Sequence, residues 1–329
     1  MSKLSSRKAL SVRELGLLLF ILVLSVGIQL RNPVFLTADN LNSMLVNTSF
    51  LAILSVGMMM VLITRGIDLS IGSTMAFTGM VTAMTIVAVP DLHPGLAMLL
   101  GTAAGAVIGM AAGLLVARYG VLPIIATLGM MNVVRGMTYV VSGGKWISSY
   151  QMSSEFKAIA TGRILGVNNL VWIAILVYVA AAYFLYHTRT GRQIYAVGSN
   201  PEAAEISGLP KKRLVFLVYG IMGALAGLTG VLWVARFASA QGSTAIGYEL
   251  QVIAACILGG VSISGGQGKL PGLMLGTLLL GILNNALPLI KVSPFWQTGI
   301  QGTIIIAAVI TNVLVKRNTE AKALRRRVL

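Results

Sequence analysis

Residues 40–64 read NLNSMLVNTSFLAILSVGMMMVLIT, without a single charged side chain. The hydrocarbon layer of a bilayer is about 30 Å thick and an α-helix rises about 1.5 Å per residue, so about 20 apolar residues are enough to cross it. This stretch is long enough. It therefore predicts a membrane-spanning helix.

Further stretches of the same kind occur along the chain, and one of them is interrupted only by Arg135. In chain order they cover residues 15–30, 69–90, 94–117, 121–142, 164–188, 214–235, 250–268, 270–290 and 292–315. We therefore expect an all-α integral membrane protein of about ten transmembrane helices. A single transmembrane domain, 15–315, would lie between a basic N-terminus, 1–14, and a basic tail, 316–329.

The composition agrees with a chain surrounded by lipid. Hydrophobic residues make up 56% of it, charged residues only 10%, and the mean hydropathy is +0.86. A soluble domain carries about 25% charged residues. The net charge of +16 does not indicate a nucleic-acid partner, because the basic residues lie in loops between apolar stretches and not on one soluble surface.

The distribution of positive charge predicts the orientation. If both termini are cytoplasmic, 18 of the 25 lysines and arginines fall in inside segments and 6 in outside loops, with Arg135 left in a span. Such an excess on the cytoplasmic side is typical of membrane proteins. We therefore expect both termini in the cytoplasm.

Two of the predicted spans carry stripes of small residues. The stripes consist of Gly101, Gly105, Gly109 and Gly113 in one span and Gly220, Gly223, Gly227 and Gly230 in another. Glycine faces allow helices to approach closely in lipid, where packing drives association. They predict a compact helix bundle and carry no information about a solute.

The predicted cytoplasmic loop 189–213 contains a short helix. Asn200 is a good N-cap, Pro201 suits the first helical position, and Glu202 faces the positive end of the helix dipole. Gly208 offers a left-handed terminating residue, and Pro210 prevents the helix from resuming. Two turns are marginal alone in water. We interpret the helix as a docking element for a cytosolic partner, the alternative being a loop helix packed on lipid or on the protein.

Four stretches, in this order, resemble the ribose-type permeases of ABC importers, whose members carry sugars or the furanosyl signal autoinducer-2. They are GIDLSIGS (66–73), PIIATLGMMNVVRG (123–136), GRQIYAVGSNPEAAEISGLPKKRL (191–214) and YELQVIAACILGGVSISGGQGKLPG (248–272). The resemblance covers about residues 40–315.

The resemblance implies a type II-like importer fold in the bacterial inner membrane. It implies a second permease subunit, identical or homologous, with the solute path between the two. It also implies a cytosolic ABC ATPase dimer, which binds the ATP, and an extracytoplasmic solute-binding protein. Carried over residue by residue, the ATPase-coupling role falls on Asn200, Pro201, Glu202, Ala203, Ala204, Glu205, Ser207 and Gly208.

The residues themselves offer no energy source and no catalytic or metal site. A phosphate-binding loop needs Gly-x-x-x-x-Gly-Lys-Ser/Thr, but Leu270 follows Gly268 and Lys269, and Ile263 stands at the first glycine position. Nor do the spans carry the acidic or histidine residues of a proton relay. We expect a transport subunit that binds no cofactor and is not an enzyme.

A few polar residues in or near spans are candidates for the solute path or for bridges between helices. They are Asn132, Arg135, Glu249, Asn284 and Asn285. An arginine in a span needs a partner or water, and Glu249 is a possible partner for Arg135.

Asp68 and Ser70 stand where a span begins. There a carboxylate caps free backbone N–H groups. A direct role with the solute, or a contact with the ATPase, is the alternative for Asp68.

Three other functions stay open at this stage. One is a self-contained secondary or passive transporter, and another is an intramembrane enzyme, although no cluster of catalytic side chains stands out in the sequence. The third is a permease for branched-chain amino acids, which is close to the leading interpretation.

Overall fold

The computed structural model of the chain describes residues 12–293 and, beyond them, 295–297, 299–300, 302–303, 306 and 310. Its named helices are α1 (Val12–Arg31), α2 (Ala38–Ile63), α3 (Ile71–Ala88), α4 (Pro94–Ala117), α5 (Pro123–Ser142), α6 (Ser154–Thr161), α7 (Asn169–His187), α8 (Arg189–Ser199), α9 (Pro201–Ile206), α10 (Lys211–Phe237), α11 (Tyr248–Leu258) and α12 (Leu270–Leu289). A short 3-10 turn covers Ser149–Gln151, and strands β1 (Arg163–Ile164) and β2 (Val167–Asn168) form a small antiparallel hairpin.

Eight of the helices within the described residues are long and apolar enough to cross a membrane. They are α1, α2, α3, α4, α5, α7, α10 and α12. The predicted all-α integral membrane class is confirmed. The predicted tenth span, 292–315, and both terminal segments lie largely outside the described residues, so the count of ten and the cytoplasmic termini stay predictions.

The predicted span at 250–268 differs from the structure. Helix α11 has 11 residues, a length of about 16 Å and therefore about half of a hydrocarbon layer. The chain then leaves the helix at Gly259, and Gly260, Gly265 and Gly266 adopt positive φ. A stretch without charge is not necessarily helical, because glycine destabilises a helix interior.

The predicted span at 164–188 begins later than expected. The β-hairpin occupies its first residues, and α7 starts at Asn169, where the Asn168 side chain accepts a hydrogen bond from the Leu170 N–H at 2.9 Å. The local N-cap sets the helix start, which hydrophobicity alone did not locate.

The glycine stripes of α4 and α10 lie at close helix contacts, as the sequence predicted, and the structure shows that the two stripes pack against each other. A methyl group on Gly105 would lie 2.6 Å from the Cα of Gly227, and one on Gly109 would lie 2.8 Å from the Cα of Gly223. These contacts are with backbone, which side-chain rotation cannot relieve. Gly230 instead faces α3, where a methyl group would lie 3.0 Å from the Cα of Met75.

Helix α2 occupies the centre of the bundle, and nearly all residues of its second half are buried. The loops sort into two groups. Segments predicted to be cytoplasmic contact one another, as when the Arg65 Nε donates to the Gly198 carbonyl at 2.7 Å. Segments predicted to be outside do the same, since Ile147 and Ala240 form a backbone bridge. The grouping agrees with the predicted alternation of spans.

Candidate functional site

The short helix predicted from the sequence is present as α9. The Asn200 carboxamide oxygen accepts a hydrogen bond from the Ala203 N–H at 3.0 Å, and Pro201 is the first helical residue. The predicted N-cap is confirmed.

The C-terminal end of α9 is closed by a Schellman motif. The Leu209 N–H donates to the Ala204 carbonyl and the Gly208 N–H to the Glu205 carbonyl, both at 3.0 Å. Gly208 has φ +76°, which confirms the predicted left-handed residue. Ala204 is buried and Leu209 packs against the main core, so the helix is fixed to the bundle on one side.

The other side of α9 faces away from the protein. Glu202, Ala203, Glu205 and Ser207 are exposed, and Ile206 is 89% exposed. Glu205 lies 3.5 Å from Lys211, an exposed ion pair that contributes little to stability. Ile206 was not among the predicted coupling residues, although the predicted helix already placed Ile206 in its last turn.

Helix α8 was not predicted. Its buried side is formed by Gly191, Ile194, Val197 and Gly198, spaced three and four residues apart as on one face of a helix. The Thr188 hydroxyl accepts from the Gly191 N–H at 3.0 Å and caps its start. The pattern was readable in the sequence, but the apolar residues were too few to stand out beside those of the spans.

Arg65 binds the C-terminal end of α8. Its Nε donates to the Gly198 carbonyl at 2.7 Å and its Nη2 to the Ser199 carbonyl at 2.8 Å. A guanidinium at a helix C-terminus satisfies carbonyls that lack partners and interacts favourably with the dipole. Arg65 does this with φ +64°, an unfavourable value for a residue with a side chain. The sequence interpretation counted Arg65 only as a loop charge.

Backbone contacts join α8 to α2 and to loop 259–269. A methyl group on Gly198 would collide with the Ile63 carbonyl and lie 2.7 Å from the Gly266 nitrogen. The Tyr195 hydroxyl donates to the Gly268 carbonyl at 2.8 Å, and burial raises the pKa of Tyr195, so that this donor stays protonated. Helices α8 and α9 therefore form one platform attached to the central helix and to the start of α12.

Asp68 and Ser70 lie in the turn between α2 and α3. One carboxylate oxygen of Asp68 accepts from the Ser70 N–H at 2.8 Å and from the Ser70 hydroxyl at 2.6 Å. Burial raises the pKa of Asp68, and these two hydrogen bonds oppose the rise. Only 1% of Asp68 is exposed, so it is out of reach of a solute or a cytosolic partner in this conformation.

Arg135 binds backbone carbonyls and forms no ion pair with Glu249. Its Nη1 donates to the Gly242 carbonyl at 2.6 Å and to the Thr244 carbonyl at 2.7 Å. Both carbonyls belong to segment 238–247, which precedes α11, is not helical, and runs beside the middle of α5. Backbone inside a membrane needs internal partners. Arg135 supplies two of them.

The remaining candidates occupy different places. Asn132 is exposed on α5 and its amide donates only to the Leu128 carbonyl of its own helix, at 3.0 Å. The Glu249 carboxylate lies beside Gly72, where a methyl group would be 2.8 Å from it.

Asn284 and Asn285 connect helices. Asn285 and Asn40 of α2 donate to each other at 3.0 Å, and the Asn284 amide donates to Gln251 of α11 at 3.3 Å. Asn284 therefore contacts α11, Arg135 contacts the segment before it, and Glu249 belongs to α11 itself, whereas Asn285 contacts α2 and Asn132 is exposed.

Comparison with known proteins identifies the family of the chain. The family described as branched-chain amino acid transport system / permease component matches residues 40–309. The chain belongs to this permease family. It is 42% identical to the ribose import permease protein RbsC of Escherichia coli (strain K12), over 90% of this chain and 92% of the relative.

Two other relatives are similar over comparable lengths. The permease is 37% identical to RbsC of Bacillus subtilis (strain 168), over 91% of this chain and 92% of that one. It is 33% identical to the L-arabinose transport system permease protein AraH of Escherichia coli (strain K12), over 90% and 89%. No solved structure matches the chain. The resemblance to ribose-type permeases is confirmed, and the chain is a multi-pass inner-membrane permease, a transport subunit that is not itself an enzyme.

Proposed function

We propose that this permease carries a small sugar into the cytoplasm as the membrane subunit of an ABC importer, driven by a separate ATPase that docks on α9. A second permease subunit and an extracytoplasmic solute-binding protein complete the assembly. The proposal of a sugar is supported by two of the relatives, which are a ribose import permease and an L-arabinose transport system permease.

The α8–α9 platform is the observation that carries the coupling role. A six-residue helix would not persist alone in water, yet α9 is capped at both ends and projects Ile206 outward. An apolar side chain at the tip of a fixed helix is suited to a pocket on a partner protein. A push on α9 reaches α10 directly, and it reaches α2 and the start of α12 through Arg65 and the Gly198 contact.

The decisive experiment uses proteoliposomes containing the assembled complex and saturating solute-binding protein loaded with ribose. The variant Ile206→Asp should lose co-purification of the ATPase and ATP-driven uptake, because a carboxylate cannot enter an apolar pocket without a large desolvation cost. Tyr119→Asp is the matched control: Tyr119 is 70% exposed in the α4–α5 turn on the same predicted side. We expect it to keep both.

Three results would contradict the proposal. One is concentrative uptake by the permease alone without ATP, as a self-contained transporter requires. Another is full activity of Ile206→Asp. The third is uptake of leucine in preference to ribose or arabinose, which would favour an amino acid permease.

A further inference from the structure

A small polar cavity lies between α2, α11 and α12. Its volume is about 70 Å³, room for several water molecules. Its polar lining consists of Asn47, Thr48, Tyr248, Asn284 and Asn285. Asn47 is the tenth residue of α2, about 14 Å along the axis from the first. The cavity therefore lies at the depth of the hydrocarbon layer.

Two of these side chains have polar atoms that the protein leaves free. Within the part of the chain that the structure describes, neither the Asn47 amide nor the Tyr248 hydroxyl makes a hydrogen bond, and Asn47 is exposed. Facing lipid, such groups would carry a large desolvation cost, because no water is there to bind them. Their free state indicates that the face of α2 carrying Asn47 meets water or a solute.

The neighbouring groups hold this lining in place. Asn285 is paired with Asn40, and Asn284 with Gln251. The Tyr248 ring lies edge-on to Trp233, with ring centroids 5.8 Å apart, and Trp233 in turn packs on Phe50 at 5.1 Å. The Tyr248 hydroxyl is therefore carried on a fixed ring.

The chemistry of the lining selects one class of solute. Amides and a phenol both donate and accept hydrogen bonds, as sugar hydroxyls do. Among the described residues, no carboxylate, ammonium or guanidinium lines the cavity, so the charged ends of an amino acid would stay unpaired there at a large cost.

Resting on the proposed function, we infer that this cavity is a contact site on the solute path, where Asn47 and Tyr248 hydrogen-bond one face of a neutral pentose or hexose. Two hydrogen bonds bind a solute weakly, which suits a path that must also release it.

The first test is thiol labelling of the full-length permease in nanodiscs, without ATPase. Asn47→Cys is compared with Leu45→Cys, which replaces a side chain 39% exposed on another face of α2. The native Cys256 is buried and gives the background. A water-soluble methanethiosulfonate reacts with thiolates, which form in water and not in lipid. We expect Asn47→Cys to react at least about tenfold faster, and 100 mM ribose, but not 100 mM leucine, to slow that reaction.

Equal labelling of the two variants would overturn the site, because it would place Asn47 against lipid. Fast labelling that ribose does not slow, or that leucine slows equally, would also overturn it. These outcomes do not depend on ATP, so they are separate from a failure of the proposed importer function.

The second test replaces Tyr248 by Phe in the assembled complex. It removes the hydroxyl and keeps the ring on Trp233. Loss of one hydrogen bond of about 1 kcal/mol corresponds to roughly a fivefold drop in ribose uptake, with co-purification of the ATPase unchanged. Tyr183→Phe, at a side chain 68% exposed on α7, is the control and should transport normally. Normal uptake by Tyr248→Phe would contradict the assignment.

Discussion

Replacing Arg65 by alanine should release the C-terminal end of α8 from α2. The substitution removes the hydrogen bonds to the Gly198 and Ser199 carbonyls, of 2.7 and 2.8 Å. Hydrogen bonds from charged donors contribute roughly 1.5–3 kcal/mol when buried. The first is partly buried and the second exposed, so we take about 2 kcal/mol for both. Alanine keeps the unfavourable left-handed backbone, so no strain is relieved.

A free energy of about 2 kcal/mol corresponds to roughly a 30-fold change in an equilibrium constant. Amide hydrogen exchange measures local opening of this kind. We expect peptides from the end of α8 to exchange about 30-fold faster in Arg65→Ala than in the parent, in nanodiscs and without any partner. Peptides from the middle of α10 should be unchanged.

Arg192→Ala is the matched control. Arg192 is exposed on α8 itself, and its side chain makes no hydrogen bond within the described residues. It loses the same charge from the same helix. If the two variants exchange equally fast, Arg65 contributes only its charge and the described hydrogen bonds do not hold α8.

Other expected outcomes follow from contacts described above. Gly105→Ala should lower the melting temperature by roughly 2–6 °C, because overpacking costs about 1–3 kcal/mol. Gly129→Ala, at a glycine with open space around it, should not lower the melting temperature, and exposure of the Cys256 thiol on heating measures both variants. Arg135→Leu leaves the Gly242 and Thr244 carbonyls unpaired, so amide hydrogen exchange in segment 238–247 should become more than tenfold faster, while exchange in α4 stays slow. Unchanged exchange would mean that Arg135 does not stabilise this segment. Gly208→Ala should make hydrogen exchange of the Leu209 amide roughly five- to tenfold faster, because position 208 has a left-handed backbone conformation that alanine adopts poorly. Gly208→Asn should have a smaller effect, and equal effects of the two variants would mean that backbone conformation is not the cause.

The sequence was sufficient for the features that depend on short-range rules. The glycine spacing predicted a face for close helix packing on each of α4 and α10, and the run from Asn200 to Gly208 predicted α9 with both of its caps. Each rests on residues a few positions apart, whose geometry an α-helix fixes in advance.

Features that depend on distant partners could not be predicted. Arg135 carries no sign that it binds carbonyls more than a hundred residues away, and the uncharged stretch 250–268 gave no warning that the helix ends before Gly259. Arg65 looked like one of many loop charges. Asn47 and Tyr248 became candidates only once three helices were seen to enclose them.

At the junction of Gly198, Gly266 and the Ile63 carbonyl, main chain contacts main chain directly. A side chain can accommodate a displacement by changing its rotamer, but a planar peptide group cannot. We therefore expect a displacement of α9 to be transmitted to α2 with little loss. Under the proposed docking of an ATPase, the outward-facing residues of the platform could change to suit a different ATPase, while the glycines beneath them could not.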